Sequence, residues 1–202
     1  MSSYFRQQLE DWLKTIDVIA DRVGDIGGGA NPVYHRVRSW NVKDYVIIDN
    51  GLEEMKEKPH ITADINEESF WMHKRDGLGM ESFDIIFCLE VAEYIYDPME
   101  AFENIYFLLR EGGIAYLSFP FLYPHHYPEG HDYLRYTKWG IEKLLEVAGF
   151  SRWEIIPRMM KDETIALWDK FVSIDGMHPC KEFREHHITG YLVKAFKDKN
   201  EL

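Results

Sequence analysis

Arg22-Val23-Gly24-Asp25-Ile26-Gly27-Gly28-Gly29-Ala30-Asn31-Pro32 decides how the rest of the chain is read. It has the form of a short buried strand breaking into a glycine-rich turn. Pro32 suits the first turn of a following helix, where its missing N–H costs nothing. A Cβ in such a turn would block either left-handed dihedrals or the approach of a ligand to the backbone, which is why glycine is used there. Asp25 stands just before the turn, at the C-terminal end of the strand. In an open parallel sheet the loops at that edge diverge into a crevice where ligands bind. A bare glycine cluster also suits a plain loop, so the assignment depends on what surrounds it.

Outward from the turn, strands and helices alternate. Tyr45-Val46-Ile47-Ile48-Asp49 reads as a second strand ending in an acid about twenty residues after the glycines, where a carboxylate in such folds accepts hydrogen bonds from ribose hydroxyls. Residues 33–43 leave room for a short helix between the two strands. A third strand is expected at His60-Ile61-Thr62-Ala63, followed by Asp64, and residues 66–82 read as a ragged loop with one helical turn. Phe83-Asp84-Ile85-Ile86-Phe87-Cys88-Leu89 is almost continuously apolar, as a strand buried on both faces should be. Asp97-Pro98 starts a helix that Gly112-Gly113 ends, and residues 114–119 form a fifth strand. Thr137 caps a helix over residues 138–148 with Gly149 as its stop. Strands near 153–157 and 188–196 complete the sheet, with a helix around 165–172 and a loop at 176–179 between them. Upstream, Phe5, Leu9, Trp12, Leu13, Ile16 and Ile19 recur at helical spacing and predict an amphipathic helix over residues 3–20. The pattern implies an α/β fold, doubly wound around a mostly parallel sheet.

With 202 residues and 46% hydrophobic content, one core and one domain are expected: an N-terminal helix over 1–20, a ligand-binding core over 21–150, and C-terminal strands with an insertion over 151–202. The net charge of −12 opposes binding to nucleic acid or an anionic membrane. No apolar run approaches twenty residues and the N-terminus has no signal-peptide pattern, so a cytoplasmic protein is expected. Cys88 and Cys180 lack the spacing of a disulfide framework or a zinc site, and both read as free thiols.

After the fifth strand the composition changes. Residues 121–137 are rich in aromatics, histidine and proline, and their place at a strand's C-terminal end makes them a pocket loop. His125, His126, His131 and Asp132 are candidates for proton transfer, since histidine exchanges protons near neutrality. Each is also compatible with a surface or structural role, and their spacing matches no metal template, so no metal is assigned. Arg135 either pairs with Asp132 or meets an anionic group on a ligand. Tyr123 and Tyr133 are placed in the pocket wall.

Across residues 22–150 these blocks resemble, in order, the Rossmann-like (class I) S-adenosylmethionine-dependent methyltransferases. The quoted residues are the glycine turn, the FDIIFCLEVAEYIYDP stretch over residues 83–98, the double-glycine block over 108–117, and GIEKLLEVAGF over 140–150. The resemblance implies a seven-stranded sheet with an antiparallel last strand, S-adenosylmethionine as cofactor, and methyl transfer to oxygen or nitrogen of a small molecule. It implies that Asp25, Gly27 and Gly29 lie against the methionine moiety and that Asp49 holds the ribose. Asp64 and Ile65 would meet the adenine, and Leu89 the methionine end. Because the sulfonium carries its own leaving group, catalysis there is mainly positioning, plus a base where the acceptor must lose a proton. His126, His131 and Asp132 are the catalytic candidates, with Tyr123, Tyr133 and Arg135 toward the acceptor. Two departures stand out: Ala30-Asn31-Pro32 where a Thr-Gly pair is common, and Glu93-Tyr94 where Glu-His is common.

Two other readings share the fold. An NAD-dependent oxidoreductase would need a third Gly or Ala three positions after Gly29, which is Pro32 here. A catalytically silent relative would keep the fold as a binding or scaffolding module, against which the acids at 25, 49 and 64 argue.

Overall fold

The computed structural model describes residues 4–51, 54–67, 79–125, 127, 129–174 and 187–199. Seven strands form one sheet in the order β3-β2-β1-β4-β5-β7-β6. They are β1 (Asp17–Ile26), β2 (Ser39–Asp49), β3 (Ile61–Thr62), β4 (Phe83–Cys88), β5 (Leu109–Pro120), β6 (Arg152–Met159) and β7 (Ile188–Phe196). β1 pairs in parallel with β2 and β4, β2 with β3, and β4 with β5, whereas β7 runs antiparallel between β5 and β6. This is the doubly wound, mostly parallel arrangement the sequence implies, with the antiparallel last strand. The parallel centre is apolar on both faces, as it must be when both are covered.

One face is covered by α2 (Pro98–Leu108) and α3 (Lys138–Ala148). Phe102, Ile105, Leu144 and Leu145 pack there against Phe83, Ile86, Leu117 and Val193. Both helices start at a side-chain cap: the Asp97 carboxylate accepts from the Glu100 N–H and the Thr137 hydroxyl from the Gly140 N–H. Gly149 closes α3 in the left-handed region, at φ +106°. At the other end of α2 the buried Lys197 ammonium donates to the Tyr106 and Leu109 carbonyls, where the helix leaves acceptors unpaired.

The opposite face is covered by α1 (Tyr4–Leu13), which buries Leu9 and Leu13 against Val18, Val23, Phe87 and Tyr116. The helix expected over 3–20 is therefore shorter. It tightens through the Thr15 and Ile16 amides, which donate to Trp12 and Leu13 carbonyls, and the chain is already β1 at Asp17. Ile19 fits the helical spacing but lies on the open side of the strand, 75% exposed. The short helix allowed for over 33–43 is corrected at the same time. Val33–His35 makes only a 3₁₀ turn, and Ser39 onward is β2, its first residues pairing with Asp17 to Ala20. Each of these strand halves supplies the other's ladder partner, so misreading one hides both.

Smaller corrections fall at β5 and β6. The glycines expected to end α2 lie inside β5, with Gly112 at φ +77° beside a register shift against β4. Such an irregularity keeps pairing while turning the strand. β6 begins at Arg152 and ends at Met159, and α4 spans Asp162–Ile174. Of the ragged loop with one helical turn expected over 66–82, residues 68–78 lie outside the described residues, as do the loop expected at 176–179 and the thiol of Cys180. Cys88 is a buried free thiol. Among the described residues, no helix is long and apolar enough to cross a membrane.

Candidate functional site

The C-terminal ends of β1, β2, β3 and β4 open onto one crevice of about 610 Å³, counting space continuous with solvent. A crevice at that edge is where a doubly wound sheet binds ligands. Gly27, Asp49, Asp64, Ile65, Glu90 and Val91 lie in its wall.

The turn that shapes it is held from three sides. Gly27 leaves β1 at φ +73°, and its N–H donates to the Ile48 carbonyl at 2.8 Å. A Cβ at Gly27 would come within 2.3 Å of the Val91 side chain, so both the dihedral and the packing demand glycine. Asp49 Oδ2 accepts from the Gly29 N–H at 3.1 Å and Oδ1 from the Gly51 N–H at 2.8 Å. Each of these oxygens keeps a second lone pair for a ligand. Gly29 thus stands behind Asp49 and ties the turn to the end of β2.

Asp25 is placed beneath the turn. It is fully buried, and its Oδ2 accepts from the Val33 N–H at 2.9 Å and from the Tyr45 hydroxyl. Burial pushes its carboxyl up to about 6, against the lowering effect of those two donors. Its geometry is that of a residue that orders the turn. Leu89 packs among Leu9, Val18 and Val23 in the core under α1.

At the other end of the crevice Asp64 Oδ1 accepts from both nitrogens of Asn66, at 3.0 and 2.7 Å. Asn66 Oδ1 in turn accepts from the Tyr96 N–H, and Asn104 donates to the Ile65 carbonyl, so this loop is pinned to α2 and the segment before it. Ile48, Ala63, Ile65 and Ile95 give the crevice an apolar slot.

The loop after β5 divides. Asp132 is 5% exposed and receives both terminal nitrogens of Arg135, with His125 Nδ1 at 3.4 Å and that ring almost fully exposed. Arg135 also donates to the Leu134 carbonyl, so the pair closes the loop on itself. Tyr123 meets Phe5 of α1 edge-on at 5.6 Å. His131 and Tyr133, whose hydroxyl lies 3.4 Å from His131 Nδ1, turn instead to a second cavity of about 840 Å³, solvent space again included. Tyr94 and Tyr96 line it too, and it adjoins the first crevice at Asn50, Ala63 and Asp64. His126 lies outside the described residues. Among the described residues no group of three or more His, Cys, Asp or Glu is assembled that could hold a metal ion.

Sequence reasoning missed the charged group behind β4. Glu90 lines the crevice, and its Oε1 accepts from Arg158 Nη1 at 2.8 Å and from the Ser118 hydroxyl at 3.0 Å. Glu93, three residues on, is buried with Oε2 unpartnered among the described residues. Burial, and then the charge on Glu90, push its carboxyl up to about 8. Two glutamates three apart just past an apolar strand are the one sequence signal that could have pointed here. Arg158, which lies on β6 and is 2% exposed, gives none.

A methyltransferase-domain family model matches residues 35–117. A search of curated proteins found no match. Among solved structures, phosphoethanolamine N-methyltransferase 2 of Haemonchus contortus in complex with S-adenosyl-L-methionine superposes with a TM-score of 0.59 at 15% identity, over 95% of this chain and 53% of that one. The carbon methyltransferase CurJ gives 0.60 at 15% identity, over 90% and 49%. An S-adenosylmethionine-dependent methyltransferase of Mesorhizobium loti gives 0.60 at 15% identity, over 96% and 98%. The chain spans about half the length of the first two and nearly all of the third. A methyltransferase-domain match over residues 35–117 thus lies within a chain that has, over almost its whole length, the Rossmann-like fold of S-adenosylmethionine-dependent methyltransferases.

Proposed function

We propose that the crevice binds S-adenosylmethionine and that the protein transfers its methyl group to oxygen or nitrogen of a small-molecule acceptor. The observation that supports this most is the joining of the glycine turn to Asp49. One carboxylate both fixes the turn through Gly29 and faces the crevice, with lone pairs left for a ribose diol. The residues fit the group elsewhere as well. Gly27 brings backbone into the crevice wall, and the slot of Ile48, Ala63, Ile65 and Ile95 suits a flat ring beside Asp64. When bound, the cofactor supplies a methyl group on a sulfonium that is its own leaving group.

The chain's own part is to hold the donor and align the acceptor. Gly27 presents backbone to the methionine end, with Gly29 tying the turn to Asp49 and Asp25 keeping the turn in place from below. Asp49 orients the ribose, and Asp64 and Ile65 the adenine. His131 and Tyr133, in the adjoining cavity, face the side from which an acceptor enters, and Tyr123, Asp132 and Arg135 brace the same loop. The test is a screen of small hydroxyl, amine and carboxyl compounds with the donor, read as S-adenosylhomocysteine formed. Formation with one compound class and not with buffer alone supports the reading, and donor binding without turnover on any class favours a catalytically silent relative. That second reading draws on the turn running into a three-residue 3₁₀ segment, which lacks the helix N-terminus that would add its dipole to an anion site.

A further inference from the structure

Glu90 follows β4 in the left-handed region, at φ +57°, where a non-glycine residue is held only if its surroundings over-determine it. Three elements hold it. The Glu90 N–H donates to the Ser118 hydroxyl on β5 at 2.7 Å, and that hydroxyl donates back to Oε1. Arg158, buried on β6, donates to the same oxygen. Among the described residues, Oε2 has no hydrogen-bond donor, and no lysine or arginine lines the crevice that Glu90 faces. Glu90 enters that crevice beside Val91, the side chain against which Gly27 is pressed, at the end assigned to the methionine moiety.

We propose that Glu90 reads charge at the reacting end of the crevice, favouring the cationic sulfonium donor over the neutral thioether left after transfer. The inference rests on the cofactor reading above and adds a consequence to it: the charge on Glu90 contributes more to holding the donor than to holding the spent product. A fixed carboxylate attracts a cation a few ångströms away and does nothing comparable for a neutral sulfur. The Arg158 guanidinium behind it offsets part of that field, so the preference due to Glu90 is about tenfold rather than a thousandfold. Glu93 is buried, with its carboxyl pushed up by that burial, and does not line the crevice.

The experiment is calorimetric titration of the purified protein and of Glu90→Gln and Glu90→Asp with S-adenosylmethionine and with S-adenosylhomocysteine. Glutamine keeps an oxygen for Ser118 and Arg158 but carries no charge, and aspartate keeps the charge. The expected result is that Glu90→Gln weakens the donor about tenfold and the thioether by less than about twofold, while Glu90→Asp retains most of the preference. Equal weakening of both ligands by Glu90→Gln, or loss of the preference in Glu90→Asp as well, makes Glu90 a positioning residue and overturns the proposal while the cofactor reading stands. If wild-type protein binds neither ligand, the cofactor reading fails and this proposal with it. Should Glu90→Gln not fold, Glu90→Asp with an unchanged preference supports the proposal and a lost preference overturns it.

Discussion

At the scale of single residues, Asp25 and Asp49 divide the work of one turn. Both stood out in the sequence as acids at strand ends, and the sequence could not say which faces a ligand, because that depends on which side of the turn the 3₁₀ segment and Tyr45 close over. Tyr45 and the Val33 amide cover Asp25, and Asp49 is left in the crevice. Replacing Asp25 by Ala strands these two buried donors, each at a cost of about 1–3 kcal/mol. The loss depends on pH with a definite sign. The folded-state value, about 6, lies above the ordinary value of 3.8, so the stabilising contribution is complete below about pH 4 and is lost as pH rises through 6. Melting temperatures of wild type and Asp25→Ala should therefore differ more at pH 5 than at pH 8. An equal gap at both pH values would show that the carboxyl is not titrating in that range.

Among the elements, those with their own punctuation were legible. α2 and α3 carry an N-cap, a proline or a terminal glycine in their sequences, and β4 is too apolar to be anything but a central strand. Asp97→Ala removes the α2 cap and should cost about 0.5–2 kcal/mol, read as a lowered midpoint in urea with the slope unchanged. An unchanged midpoint would mean that Pro98 and the packing of Phe102 and Ile105 set the start of α2 alone. The first halves of β1 and β2 were not legible. Ile16 and Ile19 happen to continue the apolar spacing of α1, and nothing within residues 17–20 reveals that their ladder partner is 39–42. Strand pairing of that kind is a non-local fact. The same reason hid Arg158, which is decided by Glu90 and Ser118 some seventy and forty residues earlier.

For the molecule as a whole, burial raises two carboxyls near the site, Asp25 and, further, Glu93. Glu93 has a folded-state value of about 8 against an ordinary 4.5, so its stabilising contribution is present below about pH 4.5 and lost as pH rises through 8. The melting temperature should accordingly fall between about pH 5 and pH 8 and level off above that, and Glu93→Gln, which cannot ionise, should flatten that fall. A decline as steep in the variant would assign it to other groups.

The fold and the place of the crevice, with Gly27, Asp49, Asp64 and Ile65 in its wall, could be read from the sequence because glycine, proline and strand-end acids act locally. The acceptor side could not, since it depends on how one loop divides between the Asp132–Arg135 pair and the cavity of His131 and Tyr133. The central claim is that the crevice is a site for S-adenosylmethionine, and it is tested most directly by isothermal titration of wild type and Asp49→Ala with S-adenosylmethionine and with NAD. The account predicts saturable binding of S-adenosylmethionine alone, weakened in Asp49→Ala by the about 1–3 kcal/mol that the ribose hydrogen bonds supply. No heat from S-adenosylmethionine at millimolar concentration, or saturable binding of NAD in its place, would contradict it.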